Sequence, residues 1–277
     1  MSDPTLATRF SLVGKVAVVT GSLGLIGRNH CLALAEAGAY VVVTDLEQQA
    51  CDVFASELSI EYSIKSIGLS CDITDKASVI ELKDRILEHF MKIDVLVNNA
   101  AINDMFENPT AAAEQSKFEN YPLELFQKSL AVNVTGVFLC SQVLGNEMAK
   151  QGSGSIINIA STYGIVAPDQ SLYMHPDGSQ SFYKSAAYSV TKGAVISFTR
   201  FLATYWGHQG VRVNALSPGG VENNQDAYFV ANYSKRTPLG RMAEATDYQG
   251  AIVFLASDAS SYMTGANLVV DGGWTAW

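Results

Sequence analysis

The most informative residues are Tyr188 and Lys192, four positions apart in the segment AYSVTKGAV. In a helix this spacing places both side chains on one face, one turn apart. A free phenol has a pKa of about 10 and is a poor base at neutral pH, and a neighbouring ammonium that stabilises the phenolate would make it a better one. The pair therefore indicates a proton-transfer site. The alternative is an ordinary exposed tyrosine and lysine, because this spacing is common on helices.

Two further polar residues suit the same chemistry. Ser161 follows a predicted strand, and its hydroxyl is suited to hydrogen-bond the oxygen of a reacting alcohol or ketone. Asn133, in AVNVTG, is suited to hold a water molecule that connects Lys192 to solvent. The sequence therefore predicts one catalytic group: Asn133, Ser161, Tyr188 and Lys192.

A glycine-rich turn, TGSLGLIG at positions 20–27, lies between the first predicted strand and the first predicted helix. Glycines in such a turn let the backbone approach a pyrophosphate closely, and the helix N-terminus offers N–H groups to the phosphates. The alternative is an ordinary strand-to-helix turn. The motif favours a dinucleotide site that includes Gly21, Ser22, Gly24, Leu25, Ile26 and Gly27.

Asp45 ends the second predicted strand, where a carboxylate can accept hydrogen bonds from both ribose hydroxyls of an adenosine. It would repel a 2′-phosphate, and no arginine or lysine adjoins it in TDLEQQA. NAD is therefore predicted as the cofactor, with NADP disfavoured, unless Asp45 caps the next helix. The alternatives to cofactor contacts are that Asp72 merely caps the next helix and that the asparagines at 98–99 merely form a turn. Further cofactor contacts are expected from Leu46, Asp72, Ile73, Asn99, Ala100 and Ala101.

Seven short apolar runs alternate with helical stretches, and several are almost continuously apolar, as is typical of parallel strands covered on both faces. This predicts a single α/β domain over residues 1–277, with a doubly wound, parallel seven-stranded sheet and helices on both faces. Ligands bind such sheets at the carboxyl ends of the strands. The strands are predicted at 16–20, 40–44, 63–69, 94–98, 155–160, 211–216 and 267–270, with helices including 26–37, 77–89, 122–150 and 183–207.

Two connections, 103–121 and 162–182, are longer than usual, and connections of this length are either functional or disordered. We expect both to contact substrate. Their polar side chains favour a polyhydroxylated ligand over a steroid or fatty acyl chain. His175 stands far from the other histidines in sequence, so no metal site is expected. The polar residues are Asn103, Asp104, Asn108, Tyr173, His175, Asp177, Ser179, Gln180 and Tyr183.

The composition excludes some partners and suggests another. A net charge of −9 argues against nucleic acid and anionic membranes, which attract basic surfaces. Only 16% of residues are charged, and the 183–207 helix carries three charges, so we expect a subunit interface there; cover by a neighbouring helix is the alternative.

Four scattered cysteines are expected to be buried thiols. The first residues lack an apolar signal segment, which favours a cytoplasmic location.

With its motifs in this order, the chain resembles the short-chain dehydrogenase/reductase family over nearly its whole length. The resemblance implies hydride transfer between a nicotinamide and a secondary alcohol or ketone, in a homodimer or homotetramer. It implies that the four residues Asn133, Ser161, Tyr188 and Lys192 form the catalytic tetrad, that Lys192 also binds the nicotinamide ribose, and that Pro218, Gly219 and Val221 contact the carboxamide. The matching segments are TGSLGLIG, Asp45, Asp72, NNAA at 98–101, Asn133, Ser161, YSVTK at 188–192, SPGG at 217–220 and DGG at 271–273.

The chain departs from the family's usual pattern at three places. Leu25 stands where the common branch has glycine, so the glycine spacing is similar to that of the sugar-nucleotide-modifying branch. Ala101 replaces the last glycine of NNAG. Residues 162–187 separate Ser161 from Tyr188, a longer interval than in many members. With SPGGVENNQ and STYGIVAP, this insertion resembles members associated with bacterial flagellin glycosylation, whose substrates are amino-sugar precursors.

Two other functions stay open at this point. The substrate is either sugar-like or a small non-sugar alcohol or keto compound. A non-catalytic dinucleotide-binding subunit is the alternative from another class, and it is disfavoured because the chain retains both Tyr188 and Lys192.

Overall fold

The computed structural model describes residues 5–103, 109–180 and 182–277, with only the backbone at 109–111. Seven parallel strands form one sheet in the order β3-β2-β1-β4-β5-β6-β7. The chain leaves β1 toward one edge and returns to β4 beside it, so a crevice opens between these strands at their carboxyl ends. The predicted fold class is confirmed. The strands are β1 Val16–Thr20, β2 Tyr40–Asp45, β3 Ser66–Ser70, β4 Val95–Asn98, β5 Gly154–Ile159, β6 Val211–Pro218 and β7 Asn267–Val270.

Helices cover both faces of the sheet. Neighbouring residues of β1 point to opposite sides, and each side has its own apolar core: Val19 packs with α2, α3 and α9, and Val18 packs with α4, α6 and α7. All five residues of β1 are buried, which explains its continuously apolar sequence. The helices are α1 Leu6–Arg9, α2 Leu25–Glu36, α3 Gln48–Tyr62, α4 Lys76–Phe90, α5 Pro109–Gln115, α6 Leu123–Gln151, α7 Ala186–Trp206, α8 Ala227–Arg236 and α9 Gln249–Ala256.

The third strand is shorter than the prediction of 63–69. Ser63 has a φ of 54° and ends α3 in the left-handed conformation, so the strand starts at Ser66. The predicted helix at 183–207 likewise starts later, at Ala186, because the residues before it are extended. In both cases the apolar pattern runs past the point at which the backbone changes direction.

The helix α6 is apolar and long enough, by length and composition alone, to cross a membrane. Half of its most apolar window is buried inside the protein, where it packs against α7 and the sheet. Two π-helical stretches, Ala131–Gly136 and Ser141–Gly145, interrupt it. Its composition is that of a core helix, and the first π-helical stretch contains Asn133.

The long connections both leave the carboxyl edge of the sheet. The first follows β4 and includes α5; its predicted contact residues Asp104 and Asn108 lie outside the described residues. The second follows β5 and has two short 3₁₀ turns, Thr162–Gly164 and Gln170–Tyr173. An isolated antiparallel bridge then joins Met174 to Gln180. The second connection is therefore a structured lobe above the sheet.

Candidate active site

The glycine turn brings three backbone segments close together. Gly21 has a φ of 64°, and a Cβ on it would lie 2.7 Å from Ala100 Cα. A Cβ on Gly27 would lie 2.1 Å from the Gly21 carbonyl oxygen, so neither position accepts a side chain. The Asn99 side chain secures the turn, because its Nδ2 donates to the carbonyls of Thr20 and Gly21 at 2.9 Å each.

The N-terminus of α2 fits a pyrophosphate. No side chain caps this helix, and a Cβ on its N-cap residue Gly24 would meet only the Gly21 carbonyl oxygen, at 3.4 Å. The backbone N–H groups of the first turn therefore face open space with a positive dipole end behind them. A dinucleotide phosphate can approach the backbone at Gly24 without meeting a Cβ atom there.

A cleft of about 910 Å³ extends from this turn along the carboxyl edge of the sheet. Ser22 does not line it: this residue is buried, and its hydroxyl donates to the Val19 carbonyl at 2.6 Å. A cofactor contact through the Ser22 side chain is therefore not supported by the geometry. The predicted residues that do line the cleft are Gly21, Gly24, Leu25, Ile26, Gly27, Asp45, Leu46, Asp72, Ile73, Asn99, Ala100, Ala101, Tyr188, Lys192 and Pro218.

Neither Asp45 nor Asp72 serves as a helix cap. The Asp45 carboxylate accepts from the amide of Leu23 at 3.0 Å, which places it beside the glycine turn, and α3 has no side-chain cap. Asp72 accepts from the amide and hydroxyl of Thr74 at 2.9 and 2.7 Å, whereas Asp75 caps α4. Both carboxylates thus line the cleft.

Tyr188 and Lys192 lie one turn apart on α7, as the spacing predicts. Lys192 is 4% exposed; its ammonium donates to the Ile159 carbonyl at 2.8 Å and lies 5.8 Å from the centre of the Tyr188 ring. Burial, and secondarily the charge of Lys184, lowers the pKa of Lys192 to about 8. Lys192 is therefore protonated at neutral pH, and it loses its proton as the pH rises through this pKa.

The phenol of Tyr188 lies beside Ser161, which directly follows β5 and is 6% exposed. Burial raises the pKa of Tyr188, and hydrogen bonding with Ser161 acts in the opposite direction. Proton transfer at neutral pH therefore needs positive charge close to the phenol, and Lys192 supplies one such charge.

The Asn133 side chain binds the backbone of a distant segment, and its role in holding a water stays a prediction. Its Oδ1 accepts from the Ile102 amide at 2.8 Å, and its Nδ2 donates to the Ile102 carbonyl at 2.9 Å. Nδ2 also approaches the hydroxyl of Thr191, at 3.3 Å. The side chain therefore joins α6 to the segment after β4 and to α7. The π-helical stretch around it is a backbone irregularity that often marks a functional site.

A second cavity, of about 530 Å³, meets the cleft at four shared residues, which include Tyr188 and Pro218. Ser161 lines it, so the serine and the phenol stand where the two cavities join. Gly219 and Val221, predicted to contact the carboxamide, line this second cavity rather than the cleft.

The substrate-facing part of the second cavity is more aromatic than predicted. Of the polar residues expected from the insertion, Tyr173 and His175 line it, together with Asn103 from the first loop. Four others do not line it: for instance, Asp177 accepts from the Ser179 hydroxyl at 2.6 Å within a turn. The four residues absent from the lining are Asp177, Ser179, Gln180 and Tyr183. The aromatic residues that line the cavity are Tyr163, Tyr173, Phe182, Tyr188, Tyr228, Phe229 and Tyr233.

Sequence reasoning missed a third source of polar groups, the segment after β6. Asn224, Gln225 and Asp226 line the second cavity just before α8. Their position after the carboxyl end of a strand was the available signal. Among the described residues, no group of three His, Cys, Asp or Glu side chains is placed to hold a metal ion.

Known proteins resemble this chain along most of its length. A family model described as enoyl-(acyl carrier protein) reductase matches residues 24–275. D-threitol dehydrogenase of Mycolicibacterium smegmatis is 35% identical over 271 residues, 96% of this chain and 95% of that protein. NAD-dependent glycerol dehydrogenase of Listeria innocua is 34% identical over 271 residues, 96% of each.

Solved structures agree with this similarity. The crystal structure of a gluconate 5-dehydrogenase from Burkholderia cenocepacia, in complex with NADP and tartrate, is 31% identical with a TM-score of 0.86. The alignment covers 99% of this chain and 100% of that one. Together with the matched family model and the order of the site residues, these similarities show that the chain belongs to the short-chain dehydrogenase/reductase family of oxidoreductases that act on CH–OH groups.

Proposed function

We propose that this oxidoreductase transfers a hydride between NAD and a secondary alcohol or ketone of a small, polyhydroxylated compound. The observation that carries the proposal is the position of Tyr188 and Pro218, which line both the cofactor cleft and the second cavity. A substrate in the second cavity would meet the phenol and the serine at the junction with the cofactor.

Each residue at the junction of the two cavities has its own role in the reaction. The glycine turn, Asp45 and Lys192 would hold NAD, which would supply the acceptor for the hydride that leaves the carbinol carbon with the electron pair of the C–H bond. Tyr188 takes the hydroxyl proton as the carbonyl forms, and Ser161 holds the reacting oxygen through a hydrogen bond. Protonated Lys192 stabilises the phenolate. In the reducing direction Tyr188 returns the proton to the same oxygen.

Asp45 supports NAD as the cofactor. Its carboxylate lines the cleft next to the amide of Leu23, and the cationic side chains that line the cleft are Lys128 and Lys192. A carboxylate here favours two ribose hydroxyls and repels a 2′-phosphate. The glycerol dehydrogenase is named as NAD-dependent and the gluconate 5-dehydrogenase structure contains NADP, so relatives differ at this choice. NAD preference favours the oxidising direction.

The lining of the second cavity supports a polyol or sugar-like substrate. Asn103, His175 and Asp226 offer hydrogen-bonding groups, and the aromatic rings offer flat surfaces for the C–H faces of such a molecule. Three of the similar proteins are named for threitol, glycerol and gluconate, and another is named for cis-4-hydroxycyclohexanecarboxylate. The narrower amino-sugar substrate stays a prediction, as does a cytoplasmic location.

The experiment is a measurement of NADH formation with D-threitol, glycerol and gluconate, and with cyclohexanol as a small non-sugar alcohol. We expect turnover with at least one polyhydroxylated compound and less with cyclohexanol. Turnover confined to cyclohexanol would favour the non-sugar alternative. NADH binding without turnover of any alcohol or of the matching ketones would favour the non-catalytic subunit.

We also propose that the chain associates through an aromatic stripe formed by Phe138, Phe198, Phe201 and Tyr205. Successive ring centres are 6.1, 6.5 and 5.9 Å apart, and Phe201 and Tyr205 are 60% and 58% exposed. A second copy of the same face would bury this stripe in a two-fold arrangement.

For this interface we expect Phe201→Glu to lower the molar mass in solution, because it places a charge in an apolar contact. Analytical ultracentrifugation measures the mass, and Ile60→Glu, at an exposed apolar residue on α3, serves as the control. A wild-type protein that is already monomeric, or a Phe201→Glu variant with the wild-type mass, would contradict the proposal.

A further inference from the structure

The second cavity contains a lysine that the proposed chemistry has not used. Lys184 lies in the extended segment just before α7, and its ammonium is 4.2 Å from the centre of the Tyr188 ring. Lys192 approaches the same ring from within α7, at 5.8 Å. Two ammonium groups therefore stand beside one phenol, at the point where the two cavities join.

Both long connections hold Lys184 in this place. The Gln170 side chain accepts from the Lys184 amide and donates to the Lys184 carbonyl, at 2.9 Å each. The ammonium itself donates to Asn103 Oδ1 at 2.6 Å. Asp169, next to Gln170, forms an ion pair with Arg236 of α8, so the segment that binds Lys184 is itself attached to a helix. The insertion thus holds the Lys184 ammonium over the Tyr188 ring.

We propose that Lys184 is a positioning residue of the proton-transfer centre: its ammonium stabilises the phenolate form of Tyr188 while that residue accepts the alcohol proton. The proposal rests on the proposed function. A cation a few ångströms from an ionisable group favours the anionic form of that group. The charge acts through Tyr188 and takes no part in bond making.

The other titratable groups that face Tyr188 do not replace this charge. Tyr163, beyond β5, and Tyr233, on α8, have pKa values raised by burial, and burial raises the pKa of Tyr173 to about 12. These phenols are neutral at neutral pH. His175 and Asp226 line the same cavity, and Lys192 faces Tyr188 from its own helix.

The two lysines are also coupled to each other. The charge of Lys184 contributes to the lowered pKa of Lys192, after burial. Removal of Lys184 should therefore raise the pKa of Lys192 and that of Tyr188 together. Oxidation requires ionised Tyr188 and protonated Lys192, so both limbs of the pH profile should move to higher pH. A purely structural role of Lys184 would not move both limbs in this way.

The test compares wild-type protein with Lys184→Met and Lys184→Arg, and with Lys65→Met as a control at an exposed lysine far from the site. Tyrosine is isotope-labelled at Cζ, and the Tyr188 NMR signal is identified by its absence in Tyr188→Phe. The signal is followed against pH with NAD bound. We expect the Tyr188 midpoint to rise by about one unit or more in Lys184→Met. Lys184→Arg and Lys65→Met should keep the wild-type midpoint.

This titration does not require turnover, so it separates the proposal from the proposed function. Equal Tyr188 midpoints in the wild type and Lys184→Met, or no ionisation of Tyr188 in either below the pH of unfolding, would overturn it. Where a panel alcohol is oxidised, the pH profile of kcat/KM is the second readout. A higher KM for gluconate alone, with unchanged pH limbs, would instead make Lys184 an anchor for a substrate carboxylate and overturn the proposal.

Discussion

Replacing Tyr188 with phenylalanine is expected to lower kcat by about 10²- to 10⁴-fold, the usual contribution of a positioned proton-transfer group. The phenyl ring keeps its packing, because the contacts with Tyr163 and Lys184 are made by the ring. Loss of the hydroxyl removes only the group that exchanges a proton with the substrate. The measurement is steady-state turnover of the fastest alcohol in the panel.

Cofactor binding distinguishes this result from misfolding. Tyr188→Phe should bind NADH with nearly the wild-type dissociation constant, as measured by fluorescence titration, and should keep the wild-type Tm. Tyr62→Phe, on α3 and far from the site, is the matched control and should keep full turnover. Undiminished turnover in Tyr188→Phe would remove the phenol from the mechanism.

Replacing Asp45 with serine is expected to change the choice of cofactor. A hydrogen bond to a charged group contributes about 1.5–3 kcal/mol, so kcat/KM for NAD should fall by about ten- to a hundredfold. The value for NADP should rise, because the carboxylate that repels a 2′-phosphate is gone. The ratio of kcat/KM for NAD and NADP measures both effects in one protein.

Two controls separate recognition of the ribose from stability of the turn. Asp45 also accepts from the Leu23 amide through Oδ2 at 3.0 Å and from the Leu46 amide through Oδ1 at 2.9 Å, so Asp45→Asn removes the charge and keeps one of these two acceptors. The neighbouring exposed carboxylate in Glu47→Gln should leave the ratio unchanged. A wild-type preference for NADP, or an unaltered ratio in Asp45→Ser, would contradict the assignment of NAD.

The fold and the residues that line the cleft were predictable because their signals are local. Each buried strand is a short apolar run, and the glycine turn must follow β1 and precede α2 for a phosphate to reach the helix N-terminus. Asp45 is likewise placed by the end of its own strand. Tyr188 and Lys192 depend only on the helical period of α7.

Features that depend on contacts between distant segments were not predictable in the same way. The Asn133 side chain binds the backbone of Ile102, a pairing that no local pattern encodes. Lys184 was predicted only as one of few charges on a helix, whereas its position is set by Gln170 and Asn103. The aromatic lining of the second cavity combines the insertion with α8, and only the folded chain brings these together.

The central claim is that hydride passes from a carbinol carbon of a polyhydroxylated compound to NAD while Tyr188 accepts the hydroxyl proton. The most direct test uses D-threitol and glycerol deuterated at their carbinol carbons, with the mass of the reduced cofactor as the readout. We expect one deuterium in each NADH formed, a slower rate than with the unlabelled alcohol when chemistry limits turnover, and transfer at least about 10²-fold slower in Tyr188→Phe. Reduced cofactor without deuterium, or equal deuterium transfer by the Tyr188→Phe variant, would contradict the account.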